Sequence, residues 1–165
     1  SSEVVSIKTE SDGNRYWDVK SGSTSVYTYV IQDVEQGFER GVTYYYKVRV
    51  KLGNNANGEA ITGSYITLNV RYYDMLKLGQ SGEWYAHTYT LSDKNGNVVS
   101  FNSGGDWVDC YGSFTISMGY DPANTSITEQ ITFFCNPQTS TSTGALAGTD
   151  FMFDDFQIST EGPID

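Results

Sequence analysis

The 165-residue chain carries a net charge of −10, takes 15% of its residues from the aromatics and includes 13 tyrosines, while only 18% of its residues are charged. That acidity argues against nucleic acid or an anionic membrane surface as partner and leaves a neutral or cationic one. One domain is expected at this length, large enough to bury a core without metal or disulfide staples. No apolar run reaches the roughly 18 residues of a membrane span.

In chain order, residues 3–10 alternate loosely through Val5, Ile7 and Thr9 and read as a first strand, closed by the turn Ser11-Asp12-Gly13-Asn14. Residues 16–19 are a short second strand. Residues 26–34 are a third, with Val30, Gln32 and Val34 on one face and Tyr27, Tyr29, Ile31 and Asp33 on the other. The run 41–52 has the clearest pattern. Val42, Tyr44, Tyr46, Val48, Val50 and Leu52 make an apolar stripe, against a polar stripe of Thr43, Tyr45, Lys47, Arg49 and Lys51. Spacing of two, with β-branched and aromatic residues dominant, predicts a half-buried strand and excludes a helix. A solvated loop at 54–58 leads to strands at 66–74 and 83–91, the second rich in tyrosine. Asp93-Lys94-Asn95-Gly96-Asn97 is a hairpin signal. Strands at 107–116, 128–136 and 151–158 follow, with a polar loop at 138–148 between the last two.

Nine or ten strands without a helical period predict an all-β protein, an antiparallel β-sandwich of the jelly-roll kind. Residues 1–160 read as one module and 161–165 as the remnant of a linker. Low charge with abundant Ser, Thr, Asn and Gly fits a secreted protein. Tyr44, Tyr46, Tyr72 and Trp107 are assigned to the core.

Little points to catalysis. The single histidine, His87, shares its strand face with tyrosines and reads as a hydrogen-bonding surface residue. No nucleophile elbow, phosphate loop or histidine-rich metal motif is present. Glu83, Asp109 and Glu129 are carboxylates of the kind a glycosidase pairs, but the sequence does not pair them. Cys110 and Cys135 sit on the apolar parity of their strands, either as an inter-strand disulfide or as two buried thiols. In Phe151-Met152-Phe153-Asp154-Asp155-Phe156-Gln157-Ile158, Asp154 shares a parity with Phe156 and Ile158, which predicts that it points inward. A carboxylate there needs a hydrogen-bond donor or a cation such as calcium.

Gly41-Val42-Thr43-Tyr44, then Tyr72-Tyr73-Asp74, the Trp107-led strand and Phe153-Asp154-Asp155-Phe156 occur in an order that resembles carbohydrate-binding modules of families 4, 9 and 22, family 22 most of all, over residues 9–159. The resemblance implies a jelly-roll module appended to a xylanase or glucanase. It also implies a structural calcium held by Glu10 and Asp154, with Trp17 at the spacing from Glu10 that the family shows. Its binding positions fall near Tyr27, at or beside Tyr85, and on the face of Gln130, Thr132 and Phe134. The chain lacks the loop and strand that family 22 usually inserts between Trp17 and Tyr27, which also supply calcium ligands there, and this departure suggests a distinct family on the same fold.

Sugar rings offer flat C–H faces to aromatic rings and hydroxyls to fixed polar groups. The sets Tyr27/Tyr29, Tyr45/Arg49, Arg71/Tyr73, Tyr85/Tyr89 and Gln130/Phe134 are therefore expected to line one concave sheet. The leading expectation is a monomeric, non-catalytic module that binds a plant cell-wall chain, xylan first and β-glucan second, and holds an appended glycoside hydrolase near its substrate. A structural or adhesive domain of a cell-surface protein and a small glycoside-active enzyme are the alternatives.

Overall fold

A computed structural model describes the backbone of residues 4–20, 28–39, 41–55, 57–75, 82–115, 126–135 and 150–165, and the side chains of 6–18, 39, 41–55, 57–68, 89–115 and 150–165. Among the described residues there are nine strands and no helix. They are β1 (Val4–Thr9), β2 (Arg15–Lys20), β3 (Thr28–Glu39), β4 (Thr43–Leu52), β5 (Thr67–Met75), β6 (Gly82–Thr90), β7 (Val108–Thr115), β8 (Ser126–Cys135) and β9 (Phe151–Ser159). They form two antiparallel sheets, ordered β1-β2-β9-β4-β7 and β3-β8-β5-β6. The expected antiparallel β-sandwich is the observed architecture. β3 runs five residues past the expected end at Val34, because a register shift between Val34 and Phe38 lets pairing with β8 resume as far as Glu39.

β4 is bonded to β9 on one side and β7 on the other, and its alternation is complete. Tyr44, Tyr46, Val48, Val50 and Leu52 are buried, with Tyr45, Lys47, Arg49 and Lys51 between them less so. Cys110 and Phe114 of β7, Phe151 and Phe153 of β9, and Leu68 of β5 complete the layer between the sheets, joined by Ile61, Ile66, Leu91 and Phe101 from the loops. Ser103 ties two of those loops together. Its hydroxyl accepts from the Ile61 amide at 2.7 Å and donates to the Gly53 carbonyl at 2.7 Å. The Cys110 thiol is free, so the disulfide alternative does not hold for it, and burial pushes its pKa up to about 12. At that value the thiol stays protonated and inert at neutral pH.

The turn at 11–14 forms as the residues dictate: Glu10 donates to the Asn14 carbonyl at 2.8 Å, and Gly13 takes φ +92°. Beside it, Asp18 is only 2% exposed and pairs with Lys8 across the β1–β2 hairpin. The hydrogen bond to Asp18 is the largest cause raising the Lys8 pKa above its ordinary 10.5. That contribution to stability is therefore complete below pH 10.5 and is lost as pH rises through the folded-state value. Lys8→Met leaves the buried carboxylate unpaired, and the expected cost is about 1–3 kcal/mol, read as a lower midpoint in urea at pH 7.

Candidate functional site

The register of the four-stranded sheet sorts its residues into cross-strand rows. Tyr29, Phe134, Thr67 and Thr90 make one row, and Ile31, Thr132, Asn69 and Thr88 the next in the same parity. Asp33, Gln130, Arg71 and Ala86 make a third, and Tyr73 with Trp84 continue it. Thr90 at one end of this parity is exposed. The opposite parity holds Leu68, which has no exposed surface, in a row with Val30, Phe133 and Tyr89. Tyr29, Tyr73, Gln130 and Phe134 thus share one parity of one sheet, interleaved with Asn69, Arg71 and Thr132. Their side chains lie outside the described residues, as does Tyr27 altogether.

Three expectations about this surface need correction. Tyr45 and Arg49 do not join it, because β4 belongs to the five-stranded sheet. Alternation along a strand separates two faces but does not say which sheet the strand enters. Tyr89 is on the core side: it packs against the buried cluster, with its ring 6.3 Å from that of Phe114. Tyr85 pairs with Tyr72 in the same parity as Tyr89, and His87 with Val70. Leu68 and Tyr89 show that this parity meets the core at their end of the sheet, and the side chains of Tyr85 and His87 lie outside the described residues.

The five-stranded sheet carries the second cluster. Asn14 Nδ2 donates to Glu10 Oε2 at 3.3 Å and to Asp154 Oδ2 at 3.0 Å, joining two carboxylates 144 positions apart. Trp107 Nε1 donates to Glu10 Oε1 at 2.7 Å, and the Arg49 guanidinium lies 5.2 Å from the Trp107 ring centroid. Asp109 at 3.8 Å and Asp155 at 4.0 Å flank that guanidinium. Trp107 is therefore a half-buried member of this polar cluster and not a core residue.

Asp154 likewise does not point into the core. It pairs with Arg49, while Gln157 pairs with Lys47, so two β9 residues, Asp155 and Phe156, face Val48 alone. Asp155 takes φ +50° at this bulge, and its amide donates to Asp154 Oδ1 at 2.9 Å. The extra residue shifts the alternation, so Phe153 and Phe156 both pack on the core and Asp154 sits on the opposite face. Among the described residues no group of three or more His, Cys, Asp and Glu side chains is placed so that it could hold a metal ion.

No protein-family model matches the chain, and no curated protein matches it in sequence. Solved structures do match. The family 22 xylan-binding domain of Paenibacillus barcinonensis Xyn10C superposes with a TM-score of 0.56 at 13% identity, over 94% of this chain and 79% of that one. A family 16 carbohydrate-binding module gives 0.53 at 12%, over 95% and 86%. The CBM22-1–GH10 modules of Clostridium thermocellum endo-1,4-β-D-xylanase 10B, solved with xylohexaose, give 0.53 at 16% identity, with 97% of this chain matching 25% of that one. In its two-sheet architecture, this chain has the fold of the carbohydrate-binding β-sandwich group, family 22 included.

Proposed function

We propose that the protein is a non-catalytic carbohydrate-binding module that takes a single β-linked polysaccharide chain across its four-stranded sheet. The observation that carries this reading is the parity shared by Tyr29, Phe134, Gln130, Arg71, Asn69 and Tyr73, which alternates aromatic residues with amides and a guanidinium along adjacent strands. Stacking of pyranose faces and hydrogen bonding of their hydroxyls need that mixture. A net charge of −10 favours a neutral chain, and xylan comes first, β-glucan second. The module acts as a monomer in a secreted enzyme and holds a glycoside hydrolase near its polymer, which raises the effective concentration of substrate without breaking a bond. Affinity electrophoresis in gels containing xylan or β-glucan tests the reading. Retardation is expected in at least one of them, and unchanged mobility in all, with no sugar released, would favour an adhesive domain instead.

The second cluster is proposed to hold a structural calcium through Glu10 and Asp154. Its donors are hard oxygens. The Asn14 amide between the two carboxylates offers an oxygen on rotation, and the rest of the six to eight ligands would come from carbonyls and water. An ion bound there draws the 11–14 turn and the β9 bulge together. Millimolar calcium is expected to raise the melting temperature, since a ligand at a hundred times its Kd adds about 2.7 kcal/mol to the folded state. Chelator should reverse the shift, and Asp154→Ala should remove it. Identical melting curves in calcium and in chelator would dismiss the ion.

A further inference from the structure

At the edge of the five-stranded sheet, the β1–β2 hairpin keeps apolar surface in water. Ile7 and Trp17 form a cross-strand pair, next to the pair of Thr9 with Arg15. Ile7 is 50% exposed and Trp17 44%. The indole is nonetheless held in place. It lies parallel to the Phe153 ring, 8° apart in plane and 6.3 Å between centroids, and Phe153 in turn stacks on the buried Phe151. A ring braced in this way loses little freedom when a second flat group settles on it. A hollow of about 200 Å³ opens beside it, lined by Ile7, Arg15, Tyr16 and Trp17. Arg15 is exposed and makes no ion pair among the described residues, which leaves its guanidinium donors facing solvent.

We propose that this hollow is a second carbohydrate contact, taking one pyranose ring against Trp17 while Arg15 donates to its hydroxyls. The proposal rests on the carbohydrate-binding reading but uses a different sheet. An aromatic plate beside a fork of donors suits a ring with one apolar face and polar edges. Four residues line the hollow, against the roughly 20–30 a side of a stable protein interface. A polyanion is repelled by the net charge of −10. Two contacts on one polymer strengthen its capture through effective concentration, even where the second alone is weak.

The test is a ¹H–¹⁵N titration of the intact chain with xylohexaose, cellohexaose and a mixed-linkage β-glucan oligosaccharide. The Trp17 Nε1–H resonance is expected to move saturably with at least one of them. Arg15→Ala should weaken that transition about tenfold and leave the four-stranded sheet's resonances titrating as before. In the double variant Tyr29→Ala/Phe134→Ala the Trp17 resonance should still move. If the four-stranded sheet titrates to saturation while the Trp17 resonance stays at its free position, the second contact is refuted and the first stands. If no resonance moves with any oligosaccharide, both readings fail.

Discussion

Tyr29→Ala and Phe134→Ala are each expected to weaken retardation in xylan or β-glucan gels about tenfold, while Tyr45→Ala leaves mobility unchanged. Tyr29 and Phe134 are register partners in the four-stranded sheet, in the row of Thr67 and the exposed Thr90. Losing one aromatic platform removes roughly 0.5–1.5 kcal/mol of stacking beyond plain burial. A tenfold change in Kd is about 1.4 kcal/mol, so the loss should be visible on a gel. Tyr45 is as aromatic but lies on β4 in the other sheet. Tyr89→Ala gives a third kind of outcome. Its ring packs against Phe114 in the core, so the variant should melt earlier rather than bind less per folded molecule. Should Tyr45→Ala abolish retardation while Tyr29→Ala and Phe134→Ala run normally, the binding face would be the five-stranded sheet and the proposed site would be wrong.

Gly112→Val is expected to cost about 3 kcal/mol, and Gly112→Ala about 2, the upper range for overpacking a filled core. Gly112 of β7 is the cross-strand partner of Tyr46. The Tyr46 ring lies across the glycine, so a Cβ added there would meet ring carbon Cε1 at 2.7 Å, with the hydroxyl end closer still. The ring has nowhere to retreat, being 2% exposed and 6.4 Å from the Phe114 ring centroid. The same burial drives the Tyr46 hydroxyl pKa upward, which keeps the phenol neutral throughout the working range. At 2–4 °C per kcal/mol for a chain of this size, the melting temperature should fall by about 4–12 °C in calorimetry. Ser113→Ala, one exposed residue along, should stay within about 0.5 kcal/mol of the parent. A melting temperature for Gly112→Val equal to the parent's would mean that Tyr46 does not cover this position.

The two clusters differ in how far the residues announce them. The resemblance pairs Glu10 with Asp154, and the fold joins them through Asn14. The inward orientation read for Asp154 failed, because one extra residue at Asp155 moves every later side chain to the other parity. Nothing in Asp154-Asp155 distinguishes that bulge from a regular strand. Trp107 is assigned to the core from the sequence, yet its indole N–H donates to Glu10 and its ring lies against the Arg49 guanidinium. Long-range partners of this sort leave no trace in local spacing.

What the chain alone determined is the set of interactions that act over a few residues. Period-two burial along β4, the turn at 11–14 and the order and approximate positions of the nine strands, the last five residues of β3 apart, follow from side-chain size, alternation and turn chemistry. Sheet membership, the packing of Tyr89 on the core and the meeting of Glu10 with Asp154 were decided only by the folded molecule. Backbone ladders form equally well between any two strands. The choice of partners depends instead on burying all the apolar stripes at once, a constraint on the whole chain that no single segment contains.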